Sequence, residues 1–203
     1  MKTARMILLA LLVAGLMAPV WALQQTTAAK EMSPQDKQMM DMMEKYGAPV
    51  KEHEFLKKFA GEWTVEVRSW MKPGAQPMTS TGTMKARLIF DGRYVSSHFN
   101  GTMMDKKYAG LEIIGYDKFL KKYVTFWIDS MGTGFFVTEG SVDAGGMVKT
   151  DTGTMPDPMT GGKQKVKQVT TFMPDGTYKF EMIMIMPDGK EFKSMEFVAK
   201  KKR

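Results

Sequence analysis

The chain has no cysteine in 203 residues. That excludes disulfides, thiol catalysis and thiolate-held metals together, and leaves packing and backbone pairing to supply the stability. Histidine is almost as scarce, with His53 and His98 alone, so no His-x-His or His-x₃-His spacing is available to a metal. The sequence has no Gly-x-Ser-x-Gly elbow, phosphate loop or dinucleotide fingerprint. Beyond residue 22 it has no apolar stretch long enough to span a membrane as a helix.

One long apolar run does occur, at the start. Lys2 and Arg5 precede an almost wholly apolar Met6–Val20, and Val20-Trp21-Ala22 puts a small residue at a cleavage position. This predicts a secretory signal peptide over 1–22, with an uncleaved N-terminal anchor as the alternative. The lack of an Arg-Arg pair favours the Sec route, so the expectation is a bacterial protein that is periplasmic or secreted. The formal charge of +7 falls by two when Lys2 and Arg5 leave. The remaining lysines are scattered, apart from Lys200-Lys201-Lys202-Arg203. Such a chain is not expected to bind nucleic acid. Weak contact with an anionic membrane surface is open to it, a solvated tail being the plainer reading.

Residues 23–32 form a polar spacer. Ser33-Pro34-Gln35-Asp36 opens a helix that Gly47 closes, and a second short helix carries Phe55, Leu56 and Phe59. Each has one apolar stripe, which predicts that the helices of 33–60 pack on the domain formed by the rest of the chain. From Gly61-Glu62-Trp63 onward the pattern becomes short runs rich in β-branched and aromatic residues. Turn signals such as Asp91-Gly92, Pro174-Asp175-Gly176 and Pro187-Asp188-Gly189 separate them. Strands are expected near 62–71, 79–90, 93–102, 106–117, 121–130, 134–142, 146–154, 163–173, 176–186 and 190–199. Ten strands with hairpin links predict an all-β, up-and-down antiparallel barrel over 61–203, because closure removes exposed edges. In the strand near 121–130 both faces are apolar, so its outside should be covered as well, by the N-terminal helices.

Several strings resemble the bacterial family called domain of unknown function 1579. They are Phe90-Asp91-Gly92-Arg93-Tyr94, Trp127-Ile128-Asp129-Ser130-Met131-Gly132-Thr133-Gly134 and Asp157-Pro158-Met159-Thr160-Gly161. Gly61-Glu62-Trp63 after a short helix is similar to the opening of lipocalin-type (calycin) barrels. The resemblance implies a barrel with a central cavity for small apolar molecules, and no established chemistry.

Candidate ligand-lining residues are Trp63, Tyr94, His98, Trp127, Asp129, Glu139, Met182 and Met184. Asp129 shares a strand face with Trp127. It either orients a ligand beside the indole or accepts backbone N–H groups at a Gly-rich hairpin. With Glu139 as a second lumen carboxylate, Asp129 defines the alternative of a small hydrolase or isomerase. A structural module contacting another envelope protein is a third reading. His98, on a face with Tyr94 and Ser96, is a candidate axial ligand for haem. The 22 methionines, with clusters at 39–43 and 182–186, raise Cu(I), but with so few histidines beside them adaptable packing or ligand lining is the preferred reading. The combined expectation is no cofactor, no catalytic residue, and a small hydrophobic or amphipathic molecule as partner.

Overall fold

The computed structural model describes residues 32–157 and 160–202; the predicted signal peptide and most of the spacer lie outside the described residues. The chain divides into two compact units, one up to Glu44 and one from Lys45. Helix α1 spans Pro34–Gly47. Ser33 caps it, its Oγ accepting from Asp36 N at 3.1 Å. No residue of α1 is buried, and Met39, Met40, Met42 and Met43 are all exposed.

The second helix, Lys51–Phe59, is a 3₁₀ helix. A repeat of three residues per turn stacks His53, Leu56 and Phe59 in one row. That row, with Phe55, is buried. Val50 N donates to His53 Nδ1 at 3.0 Å, so this histidine closes the start of its own helix.

Ten strands follow, within two residues of the expected limits: β1 Gly61–Ser69, β2 Met78–Ile89, β3 Tyr94–Met103, β4 Lys106–Asp117, β5 Lys122–Asp129, β6 Phe136–Val142, β7 Val148–Pro156, β8 Lys163–Phe172, β9 Tyr178–Ile185 and β10 Glu191–Lys201. Each pairs antiparallel with its sequence neighbour, and β1 with β10, closing the barrel. Turn chemistry sets the hairpins. In Pro174-Asp175-Gly176, Gly176 takes φ +83°, a region a side chain disfavours. Asp175 Oδ1 accepts from Thr177 N at 2.9 Å.

Pairing fixes which side chains face inward. Val65 and Val67 lie opposite Ala199 and Phe197, and Met84, Ala86 and Leu88 lie opposite Phe99, Ser97 and Val95. The outward rows carry charge in cross-strand pairs, such as Lys85–Glu62 at 2.8 Å and Lys200–Glu66 at 3.0 Å. Exposed pairs of this kind contribute about 0.2–1 kcal/mol each. They also disperse the basic residues around the wall.

The 3₁₀ helix stops one end of the barrel. Leu56 is 0% and Trp63 1% exposed. Phe59 packs edge-on against Phe172 and Tyr178 at 5.0 and 5.7 Å. Trp63 Nε1 donates to Phe59 O at 2.8 Å, and Tyr123 Oη donates to Glu52 O at 2.6 Å. Burying each such large side chain stabilises the fold by roughly 1.5–3 kcal/mol, so this plug is where the hydrophobic stabilisation concentrates. The outer face of β5 is incompletely covered: Val124 and Phe126, with Tyr46, Ile113 and Tyr94, line a groove of about 390 Å³.

Candidate functional site

The barrel interior changes character along its axis. At the plugged end Trp63, Val65, Val95, Ile114, Tyr178 and Ala199 form a sealed apolar core. Toward the other end, inward-facing Phe99, Tyr108, Trp127, Met182, Met184, Met195 and Phe197 keep part of their surface accessible. A side chain inside a closed wall can be accessible only to the lumen or its mouth, so open space adjoins these residues. Strand number agrees: eight strands enclose just enough room for side chains or one small ligand, and ten enclose more.

Glycines on the inner face widen that space. A Cβ at Gly110 would meet the Trp127 ring at 2.3 Å, and one at Gly82 would meet the Phe99 ring at 2.5 Å. Both rings therefore lie flat against the wall instead of crossing the lumen. Trp127 is fixed there. Its Nε1 donates to Asp129 Oδ2 at 2.8 Å, Tyr108 Oη donates to the same oxygen at 3.1 Å, and Tyr108 stacks on it at 6.5 Å. Asp129 Oδ1 accepts from Met131 N and Gly132 N at 2.8 and 3.2 Å. Burial pushes the Asp129 carboxyl up, but the donors Trp127, Met131, Tyr108 and Gly132 together hold it below its ordinary value. With both oxygens engaged, Asp129 shapes the mouth and the hairpin; it is not poised as an acid or base.

Half of the expected lining residues face the open lumen: Trp127, Asp129, Met182 and Met184. Trp63 also points inward, but it is sealed in the plug. Tyr94, His98 and Glu139 point outward, a correction that pairing makes plain. Ser97, between Ser96 and His98, lies opposite inward Ala86, so Tyr94, Ser96 and His98 take the outer face. Tyr94 lies over Gly115 there, and His98 is exposed. Glu139 flanks inward Thr138 and pairs with Lys122 at 3.0 Å on the outside. Asp129 and Glu139 thus occupy opposite sides of the wall and form no dyad, and His98 does not present an axial nitrogen to the lumen. Among the described residues no group of three or more His, Asp or Glu side chains is arranged to hold a metal.

The structure adds a group that residue-by-residue reading passed over. Glu112, Thr125, Thr138, Lys149, Asp151 and Gln168, from strands β4 to β8, all project inward. The pairings Glu112–Trp127, Thr125–Thr138, Gly140–Asp151, Val142–Lys149 and Asp151–Gln168 require it. Lys149 and Asp151 are each 2% exposed and ion-paired, and Lys149 Nζ donates to Thr125 Oγ1 at 2.7 Å. Thr138 Oγ1 donates to Gln168 Oε1 at 3.1 Å. Asp151 Oδ1 and Ser97 Oγ are buried without a hydrogen-bond partner.

Glu112 lies opposite Ser97. Burial pushes its carboxyl up to about 7; the Lys149 ammonium opposes that rise and the Asp151 carboxylate adds to it. Ser97 favours the charged form by proximity, though its Oγ stands outside hydrogen-bonding geometry. Burial likewise raises Asp151, with Lys149 opposing. The lumen therefore has two walls, one apolar, from β9, β10, β1 and β2, and one polar and partly unsatisfied.

Among known families, residues 48–201 match the family model described as "Protein of unknown function (DUF1579)". No curated protein matches the chain. A solved structure titled as that of a redesigned beta barrel is similar at 14% sequence identity and a TM-score of 0.37, covering 77% of this chain and 99% of that one.

Proposed function

We propose that this chain, which belongs to the DUF1579 family, is an exported protein that holds a small hydrophobic or amphipathic molecule in its barrel lumen. One observation carries the reading: Trp127, Met182, Met184, Met195 and Phe197 face into a closed barrel and are still partly accessible. A guest there loses apolar contact with water, worth roughly 25 cal/mol per Å². The flexible thioethers of Met182, Met184 and Met195 suit shapes that vary. A few polar groups on the facing wall orient the guest. Export through residues 1–22 places this binding in the periplasm.

Native mass spectrometry of protein purified from its own periplasm tests both parts. The expected chain mass begins after Ala22, with an added mass from a copurified organic molecule. Met184→Trp, which fills the lumen, should abolish the added mass while the protein stays folded. A clean mass for the unaltered protein, with no uptake of an added hydrophobic dye, would count against the reading.

A further inference from the structure

We propose that the polar wall around Glu112, Asp151 and Ser97 is a seat for a cationic head group, so that the guest is an amphipathic amine. The proposal rests on the lumen-binding reading above and names the ligand class for that site. Donors and acceptors decide it. Asp151 Oδ1 and Ser97 Oγ are buried, face inward and have no partner. Glu112, opposite Ser97 across the β3/β4 ladder, is partly accessible from the lumen and is close enough to Lys149 and Asp151 for both to shift its proton. The unmet capacity is thus one carboxylate oxygen of Asp151, which accepts, and one hydroxyl, which adapts, with the Glu112 carboxyl beside them.

Charge points the same way. Two carboxylates share one ammonium, and Lys149 is already committed to Asp151 and Thr125. With Glu112 ionised the wall carries a net negative charge in a poorly solvated space, which a cation relieves and an anion worsens. A primary ammonium carries three N–H donors, which the two unpartnered oxygens, Asp151 Oδ1 and Ser97 Oγ, and the neighbouring Glu112 carboxyl can accept. Its tail then lies along Phe180, Met182, Met195 and Phe197 on the opposite wall, whose inward register is fixed by pairing.

The groups facing Glu112 are Lys149 and Asp151 from β7 and Tyr178 from β9, whose hydroxyl is held neutral by burial and by the Glu112 charge. A bound ammonium favours the Glu112 carboxylate, so amine affinity should rise as pH climbs through about 7.

Calorimetric titration with dodecylamine, dodecanol and dodecanoate, each below its micelle concentration, tests this. Dodecylamine should bind at least about tenfold tighter than either other probe at pH near 8, a preference that shrinks toward pH 6 as Glu112 takes up its proton. Glu112→Gln should cut the preference for amine over alcohol to under about threefold. Ser97→Ala, which removes an unpartnered hydroxyl and leaves the fold intact, should reduce it by a smaller factor. Equal binding of all three, or tighter binding of dodecanoate, overturns the cationic seat and leaves lumen binding standing. No binding by any of the three overturns both.

Discussion

Trp63 and Trp127 occupy the same inner face of the same barrel, and each indole N–H is satisfied at 2.8 Å, one by Phe59 O and the other by Asp129. Their surroundings differ completely. Trp63 is 1% exposed, wedged between Tyr178 at 5.0 Å and the 3₁₀ helix. Trp127 lies over Gly110 and stays partly accessible. One indole holds the barrel shut and the other leaves it open, so the same residue type on the same face does two jobs according to what lies beyond its ring. Trp63→Ala should therefore cost about 3–5 kcal/mol in urea unfolding, and Trp127→Ala under half of that. Binding of a hydrophobic dye should follow the lumen instead, with Trp127→Ala losing more affinity than Trp70→Ala, since the Trp70 ring lies just past the end of β1 against the Lys193 ammonium at 5.1 Å. Equal stability losses for the two inner tryptophans would erase the distinction between plug and lumen.

The two walls of the lumen sharpen the contrast, because polar burial opposes folding where apolar burial favours it. Glu112 titrates near pH 7 when folded, against an ordinary value of 4.5. An acid whose folded pKa is raised is protonated in the folded state over an interval where the unfolded chain has already ionised. Stability therefore falls as pH rises from about 4.5 toward 7, and the full penalty persists above. Glu112→Gln removes a charge that must otherwise form in a confined space. Relative to the unaltered protein it should match at pH near 5 and gain about 1–3 kcal/mol at pH near 8, read from urea midpoints. A gain that is constant with pH would mean Glu112 is solvated.

That wall also explains which parts of the site the sequence concealed. Strand positions were legible because turn chemistry brackets each one, and β1 and β9 announce their inner rows by apolar alternation, Trp63/Val65/Val67 and Tyr178/Phe180/Met182, whereas β5 is apolar on both faces. In β6 the rule inverts. Thr138 and Gly140 face inward, whereas Phe135 and Val137 are 71% and 44% exposed, so the apolar row misdirected Glu139 to the lumen. In β7, Lys149 and Asp151 have the composition of a surface strand and are buried. In β3 both rows mix polar and apolar residues, so alternation had no direction, and Tyr94 and His98 were placed on the wrong side. The usable signal was parity carried across short hairpins: from Thr125, counting through the β5/β6 and β6/β7 turns leads to Thr138 and then to Asp151. The 3₁₀ form of the second helix was legible only in the spacing of His53, Leu56 and Phe59, a repeat too short to separate from an α-helix by composition.

Asp129 gives the finest test of the difference between plug and mouth, since it anchors Trp127 without being sealed. Asn at this position can still accept from Met131 N and Gly132 N through its carbonyl oxygen, and Tyr108 Oη can turn to accept from the new amide. Trp127 Nε1, a donor with no alternative, then faces a donor. Asp129→Asn should accordingly cost about 1 kcal/mol or less at neutral pH, given the partly exposed site, while loosening Trp127 enough to shift its fluorescence toward that of a solvated indole. The pH dependence has a definite sign. The folded Asp129 carboxyl is held below its ordinary value, so its contribution is complete above the unfolded carboxylate range near 4 and is lost as pH falls through the folded value. The gap between the two proteins in urea should stay constant from about pH 7 to 5 and close below about 4. A gap that survives in acid would show that the carboxylate charge plays no part in holding the mouth, and that Trp127 keeps its place by its fit over Gly110 alone.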